Sequence, residues 1–259
     1  MRRLILEEPV SRAALWSSQF AWFALAVTAV AVAFMRLQVV DLVPGFIALG
    51  TGLGLALLAV LMAFMAFVRI WMEGRRGIGA AVRGLLLALV ILGYPSFYIA
   101  RGLTLPALND ITTDIEEPPA FSRSRAAFEA RDGHMPADPA PQQRLIQREA
   151  YPQVAPLTLD VAPEEAFELV RKAAVNRGWR VVEAVRPGGR IGLGRLEAVD
   201  RTLLLRLPDD VTVRIRPRAD GSRIDVRSAS RLGAHDLGEN ARRIRAYLDE
   251  VSNLALALQ

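Results

Sequence analysis

The chain has 259 residues, with 32 basic and 27 acidic side chains, two histidines and no cysteine. A disulfide framework, thiol catalysis and cysteine-ligated metals are excluded, and His134 and His235 alone cannot make a histidine-rich metal site. The net charge of +5 is mostly topological rather than a nucleic-acid signature: residues 1–101 carry nine basic and four acidic groups, 102–150 carry five and eight, and 151–259 carry 18 and 15.

Apolar runs at 13–35, 42–68 and 84–100 hold 23, 27 and 17 residues. About 17–25 predominantly apolar residues cross a bilayer, so the expectation is an α-helical anchor of three transmembrane helices over 1–101. Starting the third span at Ile78 would put Arg83 near the interface, where it must snorkel. Basic residues cluster before the first span (Arg2, Arg3, Arg12) and between the second and third (Arg69, Arg75, Arg76, Arg83). The positive-inside rule then puts the N-terminus in the cytoplasm and everything after Arg101 across the membrane. The expected location is a bacterial cytoplasmic membrane with a periplasmic C-terminal domain. A secretory h-region is disfavoured by the length of the first run and the lack of a small-residue cleavage site. A twin-arginine signal is disfavoured by Glu7, Glu8 and Pro9.

No span has an ionisable residue in its interior, which argues against a pump, channel or charge-coupled transporter. In the second span Gly50 and Gly54, and Ala48, Gly52 and Ala56, recur at four-residue steps, a spacing that lets helix backbones approach. The stripe suits packing within the anchor or against a partner membrane protein. Trp16, Trp22, Trp71, Tyr94 and Tyr98 lie toward span ends, as interfacial aromatics do.

Residues 102–150 are expected to be a Pro-rich, partly ordered linker and insertion. Its front end, Asn109-Asp110-Ile111-Thr112-Thr113-Asp114, suits an ordered wrap against the following domain. Asp110, Asp114 and Glu117 lack the spacing of an EF-hand loop and are expected to form a solvated acidic turn.

Residues 151–259 are expected to fold as an α+β domain with a mostly antiparallel sheet of five to six strands and two packed helices. Strands are expected at 155–160, 179–185, 190–199 and, briefly, 203–207. Between the first two, Pro163 opens a helix with Glu164 and Glu165 in its first turn, and Gly178 stops it. Gly189-x-x-Gly192-x-Gly194 lacks the trailing Lys-Ser/Thr of a phosphate-binding loop and suits a turn with a bulge. Val211, Val213 and Ile215 alternate with Thr212, Arg214 and Arg216; after Asp220-Gly221, Ile224 and Val226 alternate with Arg223, Asp225 and Arg227, which face out. A two-residue loop centred on Asp220-Gly221 pairs Ala219 with Ser222, and so Arg216 with Asp225 and Arg214 with Arg227. That last pairing requires an anion: Asp209, Asp210, a carboxylate of the 109–117 wrap, or an external ligand. Asp236 and Glu239 suit a capping box. Leu237, Ala241, Ile244, Leu248, Val251 and Leu258 then mark a helix packed on the sheet, with Arg242, Arg243 and Arg245 on its solvated side.

The stretch from about Leu105 to Leu248 resembles the bacterial "domain of unknown function 1499" family. The strings that carry the resemblance are Asn109 to Asp114, Tyr151-Pro152, Asp209-Asp210-Val211 running to Arg214-x-Arg216-Pro217, Gly221 to Ser228, Ser230-Arg231 and Asp236-Leu237-Gly238-x-Asn240-Ala241. The resemblance implies that the wrap belongs to the domain and that residues 123–148 are a variable insertion. It implies no activity.

Three functions compete. The first is a non-catalytic envelope module for a protein partner or membrane complex. The second is a binding domain for an anionic ligand or lipid headgroup, held by Arg214, Arg227 and Arg231, with Ser228 and Ser230 on the Ile224 face. The third is an envelope hydrolase with His235 as base and Ser230 as nucleophile, without a Gly-x-Ser-x-Gly motif. Candidate ligand or partner residues are therefore Asn109, Asp110, Asp114, Asp209, Asp210, Arg214, Arg216, Asp225, Arg227 and Arg231. No catalytic residue, metal or cofactor is assigned, and the expected partners are the lipid bilayer, a membrane protein through span two, and an anionic ligand.

Overall fold

Apolar length decides the first hundred residues. In the computed structural model, which describes residues 9–188 and 192–257, α1 spans Arg12–Arg36, α2 Leu42–Glu73 and α3 Ile78–Thr104. All three are long and apolar enough to cross a membrane. The third takes the longer of the two expected spans; Arg83 sits in its second turn and donates from Nε to the Gly79 carbonyl at 3.2 Å. Gly74 ends α2 in the left-handed conformation at φ +67. Arg2, Arg3, Glu7 and Glu8 lie outside the described residues, as do Gly189, the first residues of the strand expected at 190–199, and Leu258.

Within the anchor the small-residue stripe of α2 divides. Gly52 abuts Thr28 of α1 so closely that a Cβ would overlap it. Ala56 and Ala59 are buried with Ala21 and Ala24 of α1 and Ala88 of α3, and Ser17 donates to the Ala59 carbonyl at 2.9 Å. Gly50 and Gly54 face open space and Ala48 is half-buried.

Arg101–Leu203 and Leu207–Gln259 form a second unit. Its elements are β1 (Asp110–Thr112), α4 (Arg125–Ala130), α5 (Pro141–Ala150), β2 (Leu157–Leu159), α6 (Pro163–Asn176), β3 (Arg180–Val185), β4 (Gly194–Arg201), β5 (Pro208–Arg218), β6 (Gly221–Ser230) and α7 (Glu239–Leu256). The fold is thus three apolar helices followed by an α+β unit with a six-stranded antiparallel sheet. The strand order is β1-β6-β5-β4-β3, and β2 shares with β1 the outer edge of β6.

One sheet face is apolar because β4, β5 and β6 alternate with period two. Leu196, Val213, Ile215, Ile224 and Val226 meet Phe167 and Val170 of α6 and Ile244, Tyr247 and Val251 of α7. Trp179 stacks on Tyr247 at 4.5 Å between centroids, and the Tyr247 hydroxyl donates to the Val170 carbonyl at 2.8 Å, which offsets the cost of burying it.

Several expectations are corrected. Residues 203–207 are not a strand but part of a turn, in which Thr202 and Leu207 bond across the loop at 2.9 Å. The expected capping box does not form: α7 starts at Glu239 with Gly238 rather than Asp236 at its N-cap, the Asp236 carboxylate accepts from Gly238 and Asn240 N–H at 2.9 and 2.8 Å, and Glu239 pairs with Arg242. The segment 102–150 holds one strand and two helices.

The hairpin register is shifted by two residues. Arg214 lies opposite Asp225, Arg216 opposite Arg223, and Arg227 opposite Thr212. The loop is Ala219-Asp220, neither with positive φ, and Gly221 is the first strand residue at φ +140. Glycine is needed there because β2 passes alongside: a Cβ on Gly221 would collide with the Leu159 carbonyl and the Asp160 Cα. Replacing Gly221 by Ala should therefore cost about 2–4 kcal/mol, from backbone strain plus overpacking. Gly188→Ala, with nothing near its Cβ, should stay within about 0.5 kcal/mol. Thermal unfolding of the full chain in detergent checks the pair.

Candidate functional site: a strapped polar face of the sheet

The second sheet face carries charge, yet it is not open to water. Thr112 of β1, Asp210, Thr212, Arg214 and Arg216 of β5, Arg223, Asp225 and Arg227 of β6, and Glu197 of β4 share it by register. Asp210, Asp225, Arg227 and Glu197 are buried, which corrects the outward placement of Asp225 and Arg227. What covers them is the segment 113–140, laid over the sheet as a strap.

Arg227 holds the strap at its centre. Its Nε and Nη2 grip Asp110 at 2.8–3.1 Å, its Nη1 donates to Asp138 at 3.1 Å and to the Pro119 carbonyl at 3.3 Å, and its Nη2 also reaches the Ala137 carbonyl. All five guanidinium N–H groups are thereby engaged, and the Phe121 ring lies 5.0 Å from the charge. Arg131, which caps the C-terminal end of α4, also lies over the Phe121 ring, at 5.7 Å. Arg131 is buried against Glu197 and also donates to the Ser122 and His134 carbonyls. Glu197 accepts in turn from the Ser122 N–H. Arg231 forms a fork with Asp210 at 2.8 and 3.0 Å and reaches Asp132 at 2.8 Å. From α5, Gln147 pairs with the Thr112 backbone like a further strand residue, accepting at 3.1 Å and donating at 2.6 Å.

At the rim of this face Arg214, Arg216 and Arg223 converge on Asp114 at 3.0, 2.6 and 3.2 Å and on Asp225 at 3.2, 2.9 and 2.9 Å. Asp114 is thus a clasp rather than part of a solvated acidic turn. Burial pushes its carboxyl up, but the Glu117 N–H and the arginines outweigh that and hold it below the usual range. The deeper carboxyls behave oppositely. Burial raises Asp110, Glu197, Asp209 and Asp210 in spite of their arginine partners.

Asp209 lies on the helix side of the sheet in a separate polar cluster. Arg243, expected in solvent, is buried there against Asp200 at 2.6 Å, Asp209, Asn240 and the Ser228 hydroxyl at 3.1 Å. Asn240 bonds Ser230 Oγ and the Asn109 carbonyl, both at 3.0 Å, and Asn109 donates to the Gly233 carbonyl at 2.8 Å. His235 is occupied on both ring nitrogens. Nδ1 accepts from the Leu237 N–H at 2.9 Å, so Nε2 carries the proton and faces the Gly102 and Leu105 carbonyls at 3.2 Å. It has no contact with Ser230, and the pair weighed for nucleophilic catalysis is not assembled.

The candidate residues therefore fall into three groups. Asp110, Arg227, Asp210 and Arg231 lie beneath the strap, Asp114, Arg214, Arg216 and Asp225 at its rim, and Asn109 and Asp209 under α7. Sequence reasoning missed Arg131, Glu197, Asp138, Gln147, Asn240 and Arg243. Glu197 had a signal, since it alternates with Leu196 and Ala198 on the charged side of β4; Asn240, Arg243 and Tyr247 had another, being spaced on one flank of α7.

These features define a class: a membrane-anchored α+β module whose sheet packs helices on one face and an ion-paired strap on the other. Residues 110–251 match the family described as "Protein of unknown function (DUF1499)", and the chain belongs to that family. No curated protein and no solved structure matches the chain.

Removing one partner of a buried ion pair strands the other. Arg131→Met should cost about 3–5 kcal/mol, while the double variant Arg131→Met/Glu197→Leu should recover most of it. Arg216→Gln, at the part-exposed rim, should cost less than about 1 kcal/mol. Unfolding in detergent of the wild type, the single variants Arg131→Met and Glu197→Leu, and the double variant gives the coupling energy directly, with Arg216→Gln as the rim comparison.

Proposed function

We propose that this protein is a non-catalytic envelope module. Its three-pass anchor sits in a bacterial cytoplasmic membrane with the N-terminus cytoplasmic, and it holds the α+β unit on the periplasmic side for a protein partner or membrane complex. The observation that carries this is the engagement of the chemically capable side chains: His235, Ser230, Arg227 and the buried carboxyls all spend their hydrogen bonds on one another or on backbone. The alternation of arginine around the spans supports the orientation.

A shallow groove of about 470 Å³ between the edge of β2 and α7 supports a docking role. Its floor is Pro156, Leu157 and Leu248, with Arg242, Arg245 and Asp249 along it. Mild-detergent purification followed by mass spectrometry should recover a stoichiometric partner that Arg245→Glu weakens and Arg125→Glu, on α4 and outside the groove lining, leaves unchanged. A strictly lone monomer from native membrane would remove this reading.

One observation favours a second reading, an anionic ligand or lipid headgroup. The rim trio Arg214, Arg216 and Arg223 is part-exposed and shares Asp114 and Asp225, and planar guanidinium forks suit carboxylate and phosphate. The rim thus replaces the Arg214/Arg227 juxtaposition as the seat. Arg216→Gln/Arg223→Gln should then deplete copurifying anionic lipid; unchanged lipid content would count against it.

A further inference from the structure

Strand alternation and register bring three arginines together at the rim of the polar face. Arg214 and Arg216 are two residues apart on β5, and Arg216 lies directly opposite Arg223 of β6. Like charges so placed repel one another. Two carboxylates hold them: Asp225, which is fully buried, and Asp114, whose Oδ2 accepts from all three at 3.0, 2.6 and 3.2 Å.

This cluster differs from the buried pairs in two ways. Arg227 has all its N–H groups engaged, whereas among the described residues no acceptor is bonded to Nη1 of Arg214, Nε of Arg216 or Nη1 of Arg223. The segment that brings Asp114 is also held lightly beyond it. Glu117 is 75% exposed at its side chain and reaches Arg216 only at 3.4 Å, and its backbone bonds Asp114 Oδ1 at 3.0 Å and Arg214 at 2.9 Å.

Asp114 thus offers one charge and one oxygen to three guanidinium groups. A phosphomonoester offers nearly two charges and three terminal oxygens, one for each planar fork. A carboxylate or a phosphodiester carries no more charge than Asp114, which the chain already holds at the site at high effective concentration, so neither gains by exchange. We propose that Arg214, Arg216 and Arg223 form a site for phosphomonoester dianions in which Asp114 is a built-in competitor. The ligand takes the place of Asp114 and releases residues 114–117, while Arg227 keeps Asp110, Pro119, Ala137 and Asp138. This rests on the anionic-ligand reading above; it adds which anion is bound and what binding does to the strap.

The full chain in phosphatidylcholine nanodiscs would be titrated calorimetrically with inorganic phosphate and with dimethyl phosphate, a diester monoanion. Phosphate should bind roughly tenfold or more tightly than dimethyl phosphate. Asp114→Asn, which removes the competing charge, should tighten phosphate roughly tenfold or more, and Arg216→Gln/Arg223→Gln should abolish its binding. Hydrogen exchange at the Glu117 amide of the wild type should accelerate with phosphate. The same acceleration in nanodiscs containing phosphatidic acid, but not phosphatidylglycerol, assigns a lipid monoester as the source; acceleration by free phosphate alone assigns a soluble one. Equal affinity for phosphate and dimethyl phosphate overturns the proposal, and so does a folded Asp114→Asn variant with unchanged phosphate affinity. The first comparison uses the wild type and stands even if the variant does not fold. Either failure, with Arg216→Gln/Arg223→Gln still depleting anionic lipid, removes the dianion site and leaves the broader anionic-ligand reading; unchanged lipid content as well removes both.

Discussion

The α+β unit depends on the burial of Arg227. A guanidinium held in the middle of a sheet without water costs several kcal/mol unless each N–H finds an acceptor and the charge finds a counter-ion. Every acceptor it uses comes from one stretch of chain: Asp110 in β1, then Pro119, Ala137 and Asp138. The strap is therefore not decoration on a finished domain. Without it Arg227 would keep Asp110 but lose the Pro119, Ala137 and Asp138 acceptors, and with it Arg131 and Glu197 are also drawn in and neutralise each other.

The two faces of the sheet solve the same problem by different means. Under α6 and α7, alternation of valine and isoleucine gives ordinary apolar burial, non-directional and tolerant of small shifts. Under the strap, contact is directional: the Arg231–Asp210 fork, the Arg131–Glu197 pair and the backbone-like bonds of Gln147 to Thr112 each require their own partner at one position. Buried ion pairs contribute little net stability compared with apolar replacements. They do penalise misplacement, because a slip of the strap by one residue leaves charges stranded. A proline-rich segment without a helical or strand period is held in one register by this means.

Periodicity made much of the fold legible in advance. The spans, α6, α7, β3 and the alternating β5 and β6 follow from apolar spacing that each segment carries within itself, and the family resemblance tied Asn109–Asp114 to the domain. What was not legible depends on residues far away in sequence. Asp220-Gly221 looks like the centre of a two-residue turn, but Gly221 is required by β2, some sixty residues earlier, and the register moves accordingly. Arg243 sits on an amphipathic helix where charge ordinarily marks solvent; its burial follows from Asp200 and Asp209 on adjoining strands. The order of residues 113–140 rests on pairings with β4, β5 and β6 that no local pattern encodes.

The register change also relocates the question of an anion. With Arg214 opposite Arg227, two like charges would share one site and call for an external acid. With Arg214 opposite Asp225 and Arg227 gripping Asp110, that requirement is met internally at the centre of the face. The imbalance moves to the rim, where one oxygen of Asp114 accepts from Arg214, Arg216 and Arg223 together. An oxygen has room for two good in-plane hydrogen bonds, so three donors compete for it and part of their capacity is left for water, for Glu117 or for another anion. Under the proposed anionic-ligand reading the seat is therefore the edge of the strap, where an incoming carboxylate or phosphate would share the three guanidinium groups without breaking the buried pairs that keep the strap in place.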